Sequence, residues 1–96
     1  MFLINLTYKK PLSEVDRHVA EHMAFVAAHY ASGEFLLSGR KEPRSGGVIV
    51  AKVASRERAE QIVRADPFFR EDLATYEIVE FLVASTAPEL SALKEL

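Results

Sequence analysis

The sequence predicts an α+β domain with elements in the order β-α-β-β-α-β, the ferredoxin-like arrangement. Both helices of that arrangement lie on one face of a four-stranded antiparallel sheet. Three observations predict it. Residues 2–8 alternate strictly, with Phe2, Ile4, Leu6 and Tyr8 on one side and Leu3, Asn5 and Thr7 on the other. Two runs with helical periodicity follow, at about residues 13–31 and 56–65, and each is followed by apolar strand-like segments. Between those runs, residues 34–38 and 46–53 are joined by a charged loop of hairpin length containing Pro43.

Each element has a local rationale. Lys9 to Leu12 is a connector. Ser13 is the expected N-cap of the first helix, with Asp16 three residues on as a capping-box-like partner. The helix is expected to reach Ala31 and stop at Ser32-Gly33, with Gly33 taking the left-handed turn. Glu34 to Ser38 is the second strand, and Gly46-Gly47 opens the third, which runs to Val53. Ser55 caps the second helix. Asp66-Pro67 ends it, because the residue before proline avoids the helical region. Thr75 to Val83 reads as a long fourth strand. After Thr86-Ala87-Pro88, Glu89 to Leu96 is expected to form a short C-terminal helix carrying Leu90 and Leu93.

Strand four is apolar on both faces through Ile78, Val79, Phe81, Leu82 and Val83. Such a strand needs cover on both sides. A chain of 96 residues cannot supply a second layer beyond its two helices. The expectation is a homodimer with sheets packed face to face. Phe25, Phe35 and Phe81 are assigned to core or interface. No internal repeat, linker or low-complexity segment interrupts the single expected domain, residues 1–96.

Composition narrows the function classes. The hydrophobic fraction is 49 %, which suits a folded globule. No apolar run approaches the roughly 20 residues needed to span a bilayer. Met1 to Leu6 has neither the basic start nor the cleavage site of a signal peptide, so a cytoplasmic location is expected. There is no cysteine, which excludes thiolate metal sites, iron–sulfur clusters and a cysteine nucleophile. The net charge is −2, against nucleic-acid binding. The mixed-sign run Ser55 to Glu60 reads as a solvated helix face, and Arg40 to Arg44 is a basic cluster too short to hold nucleic acid.

The candidate chemistry centres on His22. At helical spacing it shares a stripe with Val15, Val19, Val26 and Tyr30. An imidazole facing an interior needs a hydrogen-bond partner. Asp66 closes the second amphipathic run after Ala59, Ile62 and Val63 and is the carboxylate able to answer. Two readings of Asp66 stand side by side: a local turn hydrogen bond before Pro67, or a pair with His22. A pair would fix the imidazole tautomer and orient the ring as a general base or acid. His18 and His22 are spaced i, i+4, but the order is not that of a zinc protease, and His29 lies roughly 10 Å further along the axis. No metal site is expected. Neither a Gly-x-Ser-x-Gly elbow nor a phosphate-binding loop is present, and Gly46-Gly47 reads as a hairpin entry.

Ser38 and Arg40, flanking Gly39 at a strand end, are candidates to hold an anionic or phenolic substrate, beside the plainer reading of an ordinary loop start with a solvated arginine. Tyr8 at the end of the first strand is another pocket candidate. Phe68, next to Pro67, joins this substrate-binding set, although Phe68 and Phe69 at such positions are more often core than a substrate stack.

Taken together, the helix with His22, Gly33-x-x-Leu36-Leu37-Ser38-Gly39, Gly46 to Val50, Asp66-Pro67-Phe68 and Tyr76 to Phe81 resemble the YciI-like (YCII-related) family. The resemblance covers nearly the whole chain. It implies a dimeric α+β barrel of two ferredoxin-like subunits, with an active site whose histidine and aspartate correspond to His22 and Asp66. A branch of the family is linked to dehydrochlorination of chlorinated hydroxyquinols, and wider relatives include muconolactone isomerases and cofactor-free monooxygenases. Many members have proline where this chain has Arg40, which bears on loop shape and substrate.

The leading expectation is a small dimeric enzyme without a cofactor, acting on a small cyclic or aromatic compound by proton abstraction, as a lyase or isomerase. The rival is a non-catalytic small-ligand-binding or sensor domain. An RNA-binding variant of the fold is disfavoured, since Val48 to Val53 lacks stacking aromatics.

Overall fold

The computed structural model describes residues 1–96. Strand β1 (Phe2–Tyr8) leads into helix α1 (Leu12–Asp16), then α2 (Val19–Ala31), strands β2 (Phe35–Arg40) and β3 (Gly46–Ala51), helices α3 (Arg56–Ala65) and α4 (Pro67–Arg70), and strand β4 (Ala74–Glu80). A six-residue 3-10 helix, Pro88–Leu93, follows. The sheet order is β2-β3-β1-β4, and every neighbouring pair is antiparallel. This is the predicted ferredoxin-like α+β fold.

The alternation of β1 sets the two faces. Phe2, Ile4 and Leu6 are buried beneath the helices together with Phe35, Ile49 and Ala51. Val15 of α1, Val26 of α2, Ala59, Ile62 and Val63 of α3 and Phe68 of α4 close the core from above. The opposite face carries a row set by register: Leu37, Val50, Leu3 and Val79, one from each strand. Leu37 is 57 % exposed and Val79 42 %, so this apolar row is uncovered in the single chain.

Several boundaries differ from expectation for identifiable reasons. The first helical run is two helices. At the junction the N–H groups of Arg17 and His18 donate to Glu14 and Val15 carbonyls, an i to i+3 pattern. His18 then stands in a non-helical conformation, and its carbonyl accepts from His22 to start α2. Ser13 is not the N-cap. Pro11 precedes α1, and its carbonyl accepts from Glu14 and Val15, so Ser13 lies inside the first turn. Asp16 makes no capping box and pairs with Arg44 instead. Strand β2 continues through Gly39 and Arg40, because both have ladder partners in β3, Val48 and Gly47. The β4 ladder ends at Glu80, opposite Phe2 where β1 begins, with one further bond from Phe81 N–H to the Met1 carbonyl. The C-terminal helix is a 3-10 turn. It is followed by Glu95, whose carboxylate accepts from Val83 N–H and the Met1 amine.

Other signals act as read. Ser55 Oγ accepts from Arg58 N–H at 3.1 Å and caps α3. Gly33 has φ +84° at the end of α2. Gly46 has φ +156°, and a Cβ there would stand 2.0 Å from the Leu6 carbonyl oxygen. That glycine lets β3 close on β1 beside the cavity described next.

Candidate functional site

A cavity of about 330 Å³ opens between α2 and the β1-β3-β2 part of the sheet. Leu6, Val19, Met23, Val26, Val48 and Ile49 give it apolar walls, and Tyr8, His22, Ser38, Arg40, Arg44 and Phe68 supply polar and aromatic side chains. All six sequence-predicted residues except Asp66 line this one space. Asp66 lies behind it, 1 % exposed, at the junction of α3 and α4.

Asp66 is placed by its own tripeptide. The Asp66 backbone is extended ahead of Pro67, and Pro67 occupies the first turn of α4, where no N–H is needed. Asp66 Oδ1 then accepts from Phe68 N–H at 3.0 Å, capping that helix. The same Oδ1 lies 2.9 Å from His22 Nδ1. The local-turn bond and the His22 contact are therefore both present on one oxygen. Oδ2 accepts from the Tyr76 hydroxyl at 2.5 Å. An ionised carboxylate only accepts, so three donors satisfy a charge that burial would otherwise make costly.

The imidazole is fixed from below as well. Phe68 stacks on His22 at 4.0 Å between centroids and 6° between planes. Tyr8 meets the Phe68 ring edge-on at 5.8 Å. Thus Asp66-Pro67-Phe68 supplies both the hydrogen-bond acceptor and the flat surface on which His22 rests. With Nδ1–H committed to Asp66, the lone pair of the neutral ring is on Nε2. The His22 side chain is 14 % exposed and lines the cavity.

The cavity lining is also cationic. Arg44 donates to Asp16 at 2.5 Å and lies 6.0 Å from the centre of the Tyr8 ring. The hydrogen bond to Asp16 pushes its pKa further up. Arg40 lines the same cavity without an acidic partner, and no carboxylate is among the lining residues. Ser38 Oγ shares a 2.5 Å hydrogen bond with the Tyr30 hydroxyl, so part of its bonding capacity is already used. Burial, reinforced by the charge of Asp66 and by the hydrogen bond to it, pushes the Tyr76 phenol far above its ordinary value of 10.0.

Other candidates separate from the site. His29 Nδ1–H donates to the Phe25 carbonyl at 2.9 Å. His18 Nδ1 is buried without a hydrogen bond, 3.7 Å from Glu21. No three His, Asp or Glu residues converge as a metal site would require.

Sequence reasoning missed Tyr76 and Arg44. Tyr76 carried a usable signal. It follows the strand alternation of Ala74 and Ile78, which puts it on the helix-covered face, and a covered phenol needs an acceptor. Arg44 stood in the basic cluster 40–44, and nothing in the sequence aims that loop residue at Asp16.

Comparison with known proteins agrees with this architecture. The 5-chloro-2-hydroxyhydroquinone dehydrochlorinase TftG from Burkholderia phenoliruptrix AC1100, solved in complex with 2,5-dihydroxybenzoquinone, is similar in structure. The TM-score is 0.72 at 16 % identity, over 86 % of this chain and 95 % of that one. At that identity the likeness speaks for the fold. No curated protein matches by sequence. The sequence pattern of the YCII-related domain matches residues 1–82, from β1 through the end of β4. The chain therefore belongs to the YCII-related domain family.

Proposed function

We propose that this protein is a small-molecule enzyme of the lyase or isomerase type, with His22 as the general base or acid. The observation that carries this reading is the His22 ring itself. Its Nδ1 is committed to a buried carboxylate while the ring lines a cavity that bears two arginines and no acid. Asp66 is the orienting group. It selects the Nδ1–H tautomer, which leaves Nε2 to take a proton from a carbon next to a substrate carbonyl. The C–H bonding pair then moves into a new double bond. In an elimination a leaving group departs with its own bonding pair. In an isomerisation the proton returns at another carbon.

The cavity chemistry favours a small cyclic or aromatic substrate carrying anionic or phenolic oxygens. Arg40 and Arg44 are the cations for those oxygens. Tyr8, Phe68 and Ser38 shape the space. The structural relative acts on a chlorinated hydroxyhydroquinone, which supports testing that class first. The reaction as drawn needs no cofactor.

The assembly we propose is a homodimer through the uncovered sheet face. Leu37, Val50, Leu3 and Val79 form an apolar row across all four strands, and a second copy would bury it. Sedimentation of the wild type and of Leu37→Glu tests this. A monomeric wild type would end it.

Turnover decides the main reading. Chlorinated hydroxyquinols, phenols and lactones are incubated with the wild type and His22→Gln. The expected result is conversion by the wild type and binding without conversion by the variant. Saturable binding with no conversion by either protein would instead establish a ligand-binding or sensor domain.

A further inference from the structure

The geometry points to Tyr76 as a positioning residue for the His22–Asp66 pair: its hydroxyl holds Oδ2 so that Oδ1 is presented to His22 Nδ1. This rests on the reading of His22 as the proton-transfer group.

Rotation about the last bond of an aspartate side chain is soft, so two fixed contacts are needed to set its plane. Phe68 N–H provides one, on Oδ1. The Tyr76 hydroxyl provides the other, on Oδ2, at a distance typical of a charge-assisted O–H to O⁻ bond. Tyr76 itself is held firmly. It stands opposite Leu6 in the β1–β4 ladder, and Phe69 packs edge-on against its ring at 5.8 Å. Without that contact, Oδ1 would be oriented only by the backbone bond that caps α4.

Tyr76 is also on the far side of Asp66 from substrate. It lines a separate groove with Arg56, Arg64 and Phe69, and is absent from the lining of the His22 cavity. Its influence on the reaction therefore passes through Asp66. Because burial keeps the phenol protonated, it remains a donor throughout the pH range in which His22 would work.

The test is Tyr76→Phe, which keeps the ring and its packing and removes one hydroxyl. Two readouts are taken on folded protein. The first is the His22 tautomer, from long-range ¹H–¹⁵N correlations. The wild type should show Nδ1–H as the dominant neutral form. Tyr76→Phe should shift population toward Nε2–H, and Asp66→Asn should shift it further. The second readout is kinetic, on whichever substrate turns over: kcat should fall about 10-fold in Tyr76→Phe with KM nearly unchanged, as expected when a residue orients the base without touching substrate. An unchanged tautomer in Tyr76→Phe overturns the proposal and leaves Tyr76 as a structural partner of a buried acid. The tautomer readout needs no turnover. If His22→Gln proves as active as the wild type, the base reading fails separately, while the tautomer still decides what Tyr76 does.

Discussion

Helix α2 carries two histidines seven residues apart in nearly matching settings. His22 and His29 each use Nδ1 in a 2.9 Å hydrogen bond, and each stacks on a phenylalanine, Phe68 and Phe35. Their partners differ. His29 donates to the Phe25 carbonyl one turn back in its own helix. His22 reaches Asp66, 44 residues away, which is buried and held by two other donors. The His29 region is a structural corner. Glu34 accepts from Ser32 and receives two bonds from Arg58, tying the start of β2 to α3. The His22 region opens on a cavity with two cations. Stacking and a hydrogen bond are thus common to both histidines. A remote, buried carboxylate partner and a place in the cavity lining set His22 apart.

The largest effect expected from this contrast is on turnover. His22→Gln should lower kcat by about 10³-fold, within the usual range for a lost general base, while His29→Gln should leave kcat unchanged. Equal losses in the two variants would erase the distinction between them. Asp66→Asn comes next. It should cost about 10²-fold in kcat through loss of ring orientation. It should also cost about 2 kcal/mol of stability, since the Phe68, Tyr76 and His22 donors lose a charged acceptor. Urea titration measures the second cost. A change to Asn without a loss of stability would mean that the buried charge has little structural weight.

Stability of the two regions should also respond to opposite ends of the pH scale. The Tyr76 phenol is raised in the folded state, so its contribution is fully present below the unfolded value of 10.0. That contribution is lost as pH rises above 10.0 toward the higher folded value, because the unfolded chain ionises first. Thermal melts above pH 10 should show this loss in the wild type, and Tyr76→Phe should show less of it. Glu34 runs the other way. The hydrogen bond from Arg58, the largest influence on it, holds its carboxyl below the ordinary value of 4.5. Its contribution is present above 4.5 and is lost as pH falls below that value through the depressed folded one. Arg58→Gln should flatten the part of the acid limb that the Arg58–Glu34 bonds supply. The smallest expected effect is His29→Gln, about 1 kcal/mol for one neutral hydrogen bond, read by the same urea titration.

The sequence alone determined much of this protein. Element order followed from periodicity, because a period of 2 and a period of 3.6 bury different residues. The Ser55 cap, the Gly33 stop and the Asp66-Pro67 boundary followed from backbone chemistry that acts within three residues. His22 stood out because an imidazole was placed on an apolar stripe, and Asp66 because a carboxylate closed another. Tertiary structure decided the rest. It split the first helix at His18, where i to i+3 bonds and a non-helical residue interrupt the helical pattern. It brought Tyr76 from β4 to the free oxygen of Asp66, and Arg44 from a loop to Asp16 and the cavity. Those contacts join residues 10 and 28 apart in the chain. No local propensity encodes them. They exist because the sheet order β2-β3-β1-β4 lays β4 beside β1 under α3 and α4, and because the β2–β3 loop returns alongside α1.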